Sequence, residues 1–300
     1  MNDIIRIGTR KSALALIQTQ LIADELRQVC PGIQVEIVTK DTLGDRILDK
    51  PLQEFGGKGV FVSEFEQAIQ EGVIDLAVHS AKDLPMELAQ GLTIAAVSGR
   101  EDPRDVLVTM RGHKIRPESV VRIGTSSPRR QLQARLMCKT LWPEAAGAEC
   151  STLRGNVHTR LRKLEEENFD GIILAGLKRL GLLEQDTYEY TFLAPEEFIP
   201  AGGQGLMAVE AKAGTAAHSL AQAMDHAQGR LCLDLERSVL KQLDAGCHEP
   251  IGIYSVLQNG QLEVWGISSP REEVKRIHLT GGTSRRDKEK LASEAWKGLM

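Results

Sequence analysis

Apolar positions along the chain follow two alternating rhythms. Short runs such as Ile4-Ile-Arg-Ile7 and Val35-Glu-Ile-Val38 read as strands. Between them Leu14, Ile17, Leu21, Ile22, Leu26 and Val29 recur at the spacing of one helical face, and Pro31-Gly32 ends that helix. Phe61, Phe65 and Ile69 mark a helix over 61–70, followed by strands near Ile74–His79 and Leu92–Val97. The alternation resumes after the charged segment Arg100–Asp105, with strands near Val106–Thr109, Val120–Ile123 and Gly171–Leu174 and helices beginning near Pro128 and Asn156. Strands alternating with helices predict βαβ units and a largely parallel sheet.

Two further stretches interrupt the pattern. Asp41–Gly59 is polar and holds Pro51, Gly56, Gly57 and Gly59 without periodicity, which predicts either a lid over a site or disorder. Pro195–Gly205 carries two prolines and three glycines and marks a second break. Beyond it, a long helix over about 231–243 leads to strands near Gly252–Gln258, Leu262–Ser268 and Glu273–Thr280, then a final helix. Asn259-Gly260 between the first two of these strands predicts a tight hairpin. The tail therefore reads as a smaller α+β domain.

Composition narrows the function. Three hundred residues, 42% of them apolar, suffice for two or three domains with substantial cores. A net charge of −4 and only 4% aromatic residues argue against nucleic acid and anionic membranes as partners. The N-terminus lacks the apolar stretch of a signal peptide and no apolar run spans a bilayer, so a cytoplasmic location is expected. Cys30, Cys138, Cys150, Cys232 and Cys247 are widely spaced and odd in number, which speaks against a disulfide framework or a zinc cluster. The seven histidines show no metal-ligand spacing, and no metal is expected.

Positive charge is placed where an acidic protein has least reason to place it. In Ser126-Ser127-Pro128-Arg129-Arg130 the serine is an N-cap and the proline the first helical residue, so both arginines fall in a first turn. A cation there opposes the helix dipole at roughly 0.3–1 kcal/mol, unless an anion binds alongside the exposed N–H groups. Arg10 and Lys11 occupy the equivalent place before the first helix, and Arg154 and Arg160 flank Asn156 as N-cap of another. Such a pattern fits a cleft for several carboxylates or phosphates, or arginines paired with the chain's own glutamates. His79-Ser80-Ala81-Lys82-Asp83-Leu84-Pro85 follows a strand end, where ligands bind in open α/β sheets and where Asp83 is also suited to a local cap. Gly56-Gly57-Lys58-Gly59 lacks the full spacing of a phosphate loop and suits a lid hinge better. Cys247, between a glycine and a polar turn, lacks the apolar surround of an inert core thiol.

Taken in order, Ile7–Ser12, Gly56–Gly59, His79–Pro85, Arg100–Asp105, Gly124–Arg130, Leu153–Arg160, Gly176–Gly181 and Gly246–Gly252 resemble the motifs of the porphobilinogen deaminase (hydroxymethylbilane synthase) family. That resemblance implies two related domains similar to periplasmic binding proteins, at 1–99 with 200–217 and at 100–199, and a C-terminal α+β domain at 218–300. It implies a dipyrromethane cofactor joined through a thioether to Cys247 and contacted by Lys82, Asp83, Arg129, Arg130, Arg154 and Arg160. Substrate carboxylates would meet Arg10, Lys58, Arg154, Arg160 and Arg179, and Asp83 would be the catalytic group. The implied reaction is a transferase that deaminates four porphobilinogen molecules and joins them head to tail into hydroxymethylbilane. The implied enzyme is a monomer whose product passes to uroporphyrinogen-III synthase. A non-enzymatic periplasmic-type binder or sensor of an anionic small molecule is the competing reading. It leaves the third domain and Cys247 without a purpose.

Overall fold

The computed structural model describes residues 4–40, 62–183, 186–244 and 249–300. The first sheet is built from β1 (Ile4–Arg10), β2 (Gln34–Lys40), β3 (Leu76–Ser80) and β4 (Leu92–Val97), with α1 (Ala13–Val29) and α2 (Ser63–Gln70) connecting them. The second holds β5 (Val106–Met110), β6 (Val120–Gly124), β7 (Gly147–Ser151), β8 (Gly171–Leu174) and β9 (Tyr188–Phe192), with α3 (Pro128–Leu136), α4 (Cys138–Leu141) and α5 (Val157–Glu166). The chain then returns to the first sheet as β10 (Met207–Lys212). Next come α6 (Ala216–Gln222), α7 (Ala227–Gln242), β11 (Gly252–Gln258), β12 (Gln261–Ser268), β13 (Lys275–Gly281) and α8 (Arg285–Leu299).

Strand order is β2-β1-β3-β10-β4 in one sheet and β7-β6-β8-β5-β9 in the other. The two orders are the same arrangement. Three parallel strands lead, and an antiparallel strand arriving from the other sheet (β10 or β5) follows, with a further antiparallel neighbour beyond it. Both sheets are therefore mixed rather than largely parallel, because each exchanges a strand with its neighbour. The exchange creates two crossings, residues 98–105 and 193–206, and any site between the sheets is hinged on them.

Period-two alternation shows why the strands look uniformly apolar. In β8, Ile172 and Leu174 pack into one core with Val106 and Val108, while Ile173 packs oppositely with Leu107, Val121 and Ile123. The first core gathers Ile5, Ile7, Ile22, Leu26, Leu76 and Val209, and also Ala217, Ala221 and Met224. That core reaches beyond residue 217, where the sequence reading drew its boundary.

The stripe expected on α1 is rotated. Ile17, Leu21 and Val29 are exposed, and the buried side is Gln18, Thr19, Ile22, Ala23 and Leu26. Only the second half of α1 meets the core; its first half presents Gln18 to Ser80, whose Oγ lies 3.2 Å from the amide. In the third unit α7 and α8 cover one face of β11-β12-β13. Asn259 and Gly260 adopt φ of 52° and 75°, the left-handed pair that a two-residue hairpin turn requires. Among the described residues no helix is long and apolar enough to cross a membrane.

Candidate active site

The C-terminal ends of β1 and β3 lie side by side, since Gly8 is level with Ala77 in a parallel pair. Arg10 closes β1, and β3 runs into a 3₁₀ turn, Ala81–Asp83, whose last residue is exposed. Opposite stand the first turns of α3 and α5. Ser127 caps α3 by accepting from the Arg130 N–H, with Pro128 as first helical residue, and Asn156 caps α5 by accepting from the Thr159 N–H at 2.9 Å. Gly155 sits at φ +115°, and a Cβ there would come within 2.7 Å of Thr159, so only glycine admits this approach to α5.

Arg129 and Arg130 are both nearly fully buried, and the anion at this helix start is the protein's own Asp105. Arg129 Nη1 donates to Asp105 Oδ2 at 2.6 Å and to the Ile199 carbonyl at 2.7 Å. Arg130 donates through Nε and Nη2 to Asp105 Oδ1, at 3.0 and 2.8 Å, and through Nη1 to the Ile173 carbonyl. Burial alone would raise the Asp105 pKa; the two guanidinium groups outweigh it and hold the carboxyl well below the usual range. Gln204, from the second crossing, donates to the same Oδ1 at 3.2 Å and to the Pro103 carbonyl at 2.7 Å. Its Oε1 accepts from Lys82 Nζ at 3.4 Å.

Lys82 and Arg160 carry charge of a different standing. Lys82 is half-buried beside the cavity, and desolvation of its ammonium, reinforced by Arg130 and Arg129 and opposed by Asp83 and Asp105, brings its pKa down to about 8. Arg160 is lowered to about 10 by burial, then by Arg130 and Arg154, against a smaller pull from Asp83. Asp83 thus acts on both cations, on Lys82 beside it in the same turn and on Arg160 from the helix of the other sheet. Among the described residues, neither Lys82 nor Arg160 has a carboxylate within ion-pair distance; Arg160 Nε donates to the Gly155 carbonyl at 2.8 Å. Arg179, in the turn after β8, has a buried Nη2 without a hydrogen-bond partner. It lines a cavity of about 660 Å³, part of it open to solvent, together with Gln18, Ser80, Lys82 and Gln204. Arg154 stands near enough to depress Arg160. Cys247, Lys58 and the lid expected over 41–59 lie outside the described residues.

A set of cations with desolvated charge and an orphaned guanidinium donor suits an anion of several carboxylates. The model for "Porphobilinogen deaminase, dipyromethane cofactor binding domain" matches residues 5–219, and that for "Porphobilinogen deaminase, C-terminal domain" matches residues 230–297. The chain belongs to the porphobilinogen deaminase family. It is 45% identical to the porphobilinogen deaminase of Chromobacterium violaceum over 270 residues, covering 88% of this chain and 84% of that one. Identity to the Syntrophomonas wolfei porphobilinogen deaminase is 39% over 301 residues, covering 99% and 95%. Among solved structures, the periplasmic aliphatic sulphonate binding protein SsuA of Escherichia coli overlaps at a TM-score of 0.42 and 14% identity, covering 81% of this chain and 71% of that one.

Within this deaminase framework the structure adds residues that sequence reading passed over. Asp105 was legible only as part of a charged hinge, and Gln204 only as one residue of a glycine-rich break. Arg237, on α7, carried no motif of its own. The local signal for Asp105 was its place as the last of three acids in Arg100–Asp105, directly before a strand buried on both faces.

Proposed function

We propose that the chain is a hydroxymethylbilane synthase, joining four porphobilinogen molecules head to tail with loss of ammonia. We place it in the cytoplasm as a monomer whose product passes to uroporphyrinogen-III synthase, with domains at 1–99 with 200–217, at 100–199 and at 218–300, the first of them extended to Met224 by its core. The observation that carries the reading is the apposition of Asp83 to Lys82 and Arg160, cations with no carboxylate of their own among the described residues.

The residues divide the work by charge. Lys82, Arg129, Arg130, Arg154 and Arg160 would hold the dipyrromethane carboxylates, with Asp83 accepting from pyrrole N–H groups and Cys247 supplying the thioether. When bound, the dipyrromethane supplies the pyrrole carbon to which the first substrate is joined. Arg10, Lys58, Arg154, Arg160 and Arg179 would bind substrate acetate and propionate groups; the unpartnered Nη2 of Arg179 is a ready donor for one of them. Loss of ammonia from porphobilinogen leaves a cationic methylene-pyrrolenine, and the Asp83 carboxylate stabilises that charge where it develops. Asp105 keeps Arg129 and Arg130 in place, so their remaining N–H groups need no reorganisation when an anion arrives. The anion-sensor reading leaves the match over residues 230–297 unexplained.

Intact-mass measurement tests the proposal. Purified protein should exceed its sequence mass by one dipyrromethane, mapped to the peptide holding Cys247. Cys247→Ser should lose both that mass and nearly all activity, because the thiolate is the competent nucleophile. An active protein of bare sequence mass would overturn the assignment.

A further inference from the structure

Helix α7 touches the Asp83 turn along a single stripe. Leu233, Arg237 and Lys241 are spaced four residues apart and so stand in line on one face. Leu233 is buried in a core with Ala81 and Leu84, on either side of Asp83. Arg237 Nη2 donates to the carbonyls of Pro85, at 2.7 Å, and Met86, at 2.9 Å. Lys241 Nζ meets Glu87 Oε1 at 3.2 Å. Contacts advance together along both segments, so α7 lies against residues 81–87 as a splint.

The splint is itself fixed at other points. Glu236, next to Arg237 and fully buried, accepts on Oε1 from Arg100 Nη2 and from the N–H and hydroxyl of Ser255, and on Oε2 from the Gly203 N–H at 2.7 Å. These partners lie in the first crossing, the third sheet and the second crossing. At the start of α7 a Cβ on Gly229 would come within 2.1 Å of the Ser98 carbonyl, so the helix is seated directly on the first crossing. The turn it holds has little of its own. Ala81 N–H donates to Leu206, Leu84 N–H donates back to Ala81, and Asp83 is exposed.

Arg237 is an inefficient choice for stability alone. Its Nη1 is buried without a hydrogen-bond partner, a loss that an apolar side chain of similar length would avoid. What an apolar side chain lacks is an end nitrogen whose two hydrogens reach two successive carbonyls, as Nη2 does here. We propose that Arg237 is a positioning residue for the reaction, holding the Asp83 turn in place from α7, the helix that leads in sequence to Cys247 ten residues later. The proposal rests on Asp83 as the group that stabilises charge.

Cofactor-loaded wild type, Arg237→Met, Arg237→Lys and Asp83→Asn decide it, using kcat and KM for porphobilinogen, intact mass, and hydrogen exchange of peptides over 81–88. Arg237→Met should keep the cofactor mass and hold KM within about threefold, while kcat falls about 10–100-fold, the scale on which small misplacements act. Exchange should quicken over 81–88 and stay unchanged in β5, β8 and β12. Arg237→Lys, which keeps the charge and the donor hydrogens but carries its nitrogen one bond short of where Nη2 meets the two carbonyls, should recover part of kcat. A kcat within twofold of wild type in Arg237→Met overturns the proposal, as does a loss accompanied by faster exchange throughout the molecule with no recovery in the lysine variant. If the methionine variant does not accumulate folded, Arg237→Lys alone decides: reduced kcat at unchanged KM supports the proposal, and wild-type kcat overturns it. Asp83→Asn separates the two readings. Wild-type turnover there removes the role of Asp83 and the proposal with it, whereas slow Asp83→Asn beside normal Arg237→Met overturns the splint alone.

Discussion

The starts of α3 and α5 share one sequence pattern and differ in what answers their charge. Each has a polar N-cap and arginine in or beside its first turn. At α3 the arginines are buried and shared by Asp105, with Gln204 and two backbone carbonyls completing the network. At α5, Arg160 is desolvated and repelled by Arg130 and Arg154, and its Nε donates to the Gly155 carbonyl. One cluster has a counter-charge of its own in the folded chain and offers an external anion only its remaining N–H groups; the other is at its most favourable only with an external anion. Cationic residues at a helix start therefore say that an anion is required, and not whether the protein supplies it.

The largest effect should come from removing the internal anion. Asp105→Asn leaves two buried guanidinium groups without their counter-charge, and breaking a buried pair from one side costs about 3–5 kcal/mol. Urea unfolding of the variant at pH 7 measures this. Asp105 has a depressed folded pKa, so its contribution is present above the ordinary carboxyl pKa and is lost as pH falls from there towards the folded value. Wild type should lose stability on acidification below about pH 4 more steeply than Asp105→Asn. Equal stability of the two proteins at pH 7 would erase the distinction between the clusters.

Much of this was legible from sequence because it is local. The caps at Ser127 and Asn156, the Asn259-Gly260 turn, and strands such as Leu92–Val97 and Gly171–Leu174 follow from side-chain chemistry within a few residues. Elements whose partners are distant were less visible. Met207–Lys212 contains Glu210, fully buried and 3.0 Å from His79, so its polar residue masks a strand buried on both faces. The α1 stripe was misjudged because Gln18 and Thr19 turn inward towards the junction while Ile17 and Leu21 meet solvent. In the candidate site, Lys82, Asp83 and Arg160 could be nominated from their motifs. The pairing of Asp105 with residues 24 and 25 positions onward, and the reach of Arg237 to Pro85, depend on how the crossings fold together.

The second effect should fall on activity rather than stability. Arg160→Leu removes a charge that burial and two neighbouring arginines already disfavour, so the unloaded protein should be as stable as wild type or more so. Loss of a buried charge-assisted contact to a bound carboxylate costs about 2–5 kcal/mol, which should appear as stalled turnover with discrete mass steps on the loaded protein. Paired thermal melts and single-turnover assays read both sides. Normal product formation would mean that Arg160 holds no carboxylate of the bound chain.

The smallest effect is a pH dependence set by Lys82, which stands between the two clusters. Its folded pKa of about 8 lies below the ordinary lysine value of 10.5. Below about pH 8 the lysine is protonated in both states, and the folded protein bears the whole cost of its desolvation. Between about 8 and 10.5 the unfolded chain binds the proton that the folded one has released, so stability from this group rises with pH; above that window the cost is gone. Lys82→Met should therefore be more stable than wild type at pH 7, by at most about 3 kcal/mol and by less to the extent that cleft water screens the ammonium. The advantage should shrink towards zero by about pH 10.5. Loading should remove it differently, because carboxylates beside the ammonium restore its pKa and flatten the slope at its source. Urea unfolding at pH 7, 9 and 10.5, on wild type and Lys82→Met with and without the cofactor mass, measures all three changes. A difference between the two proteins that does not vary with pH would mean that Lys82 is already balanced by the chain itself.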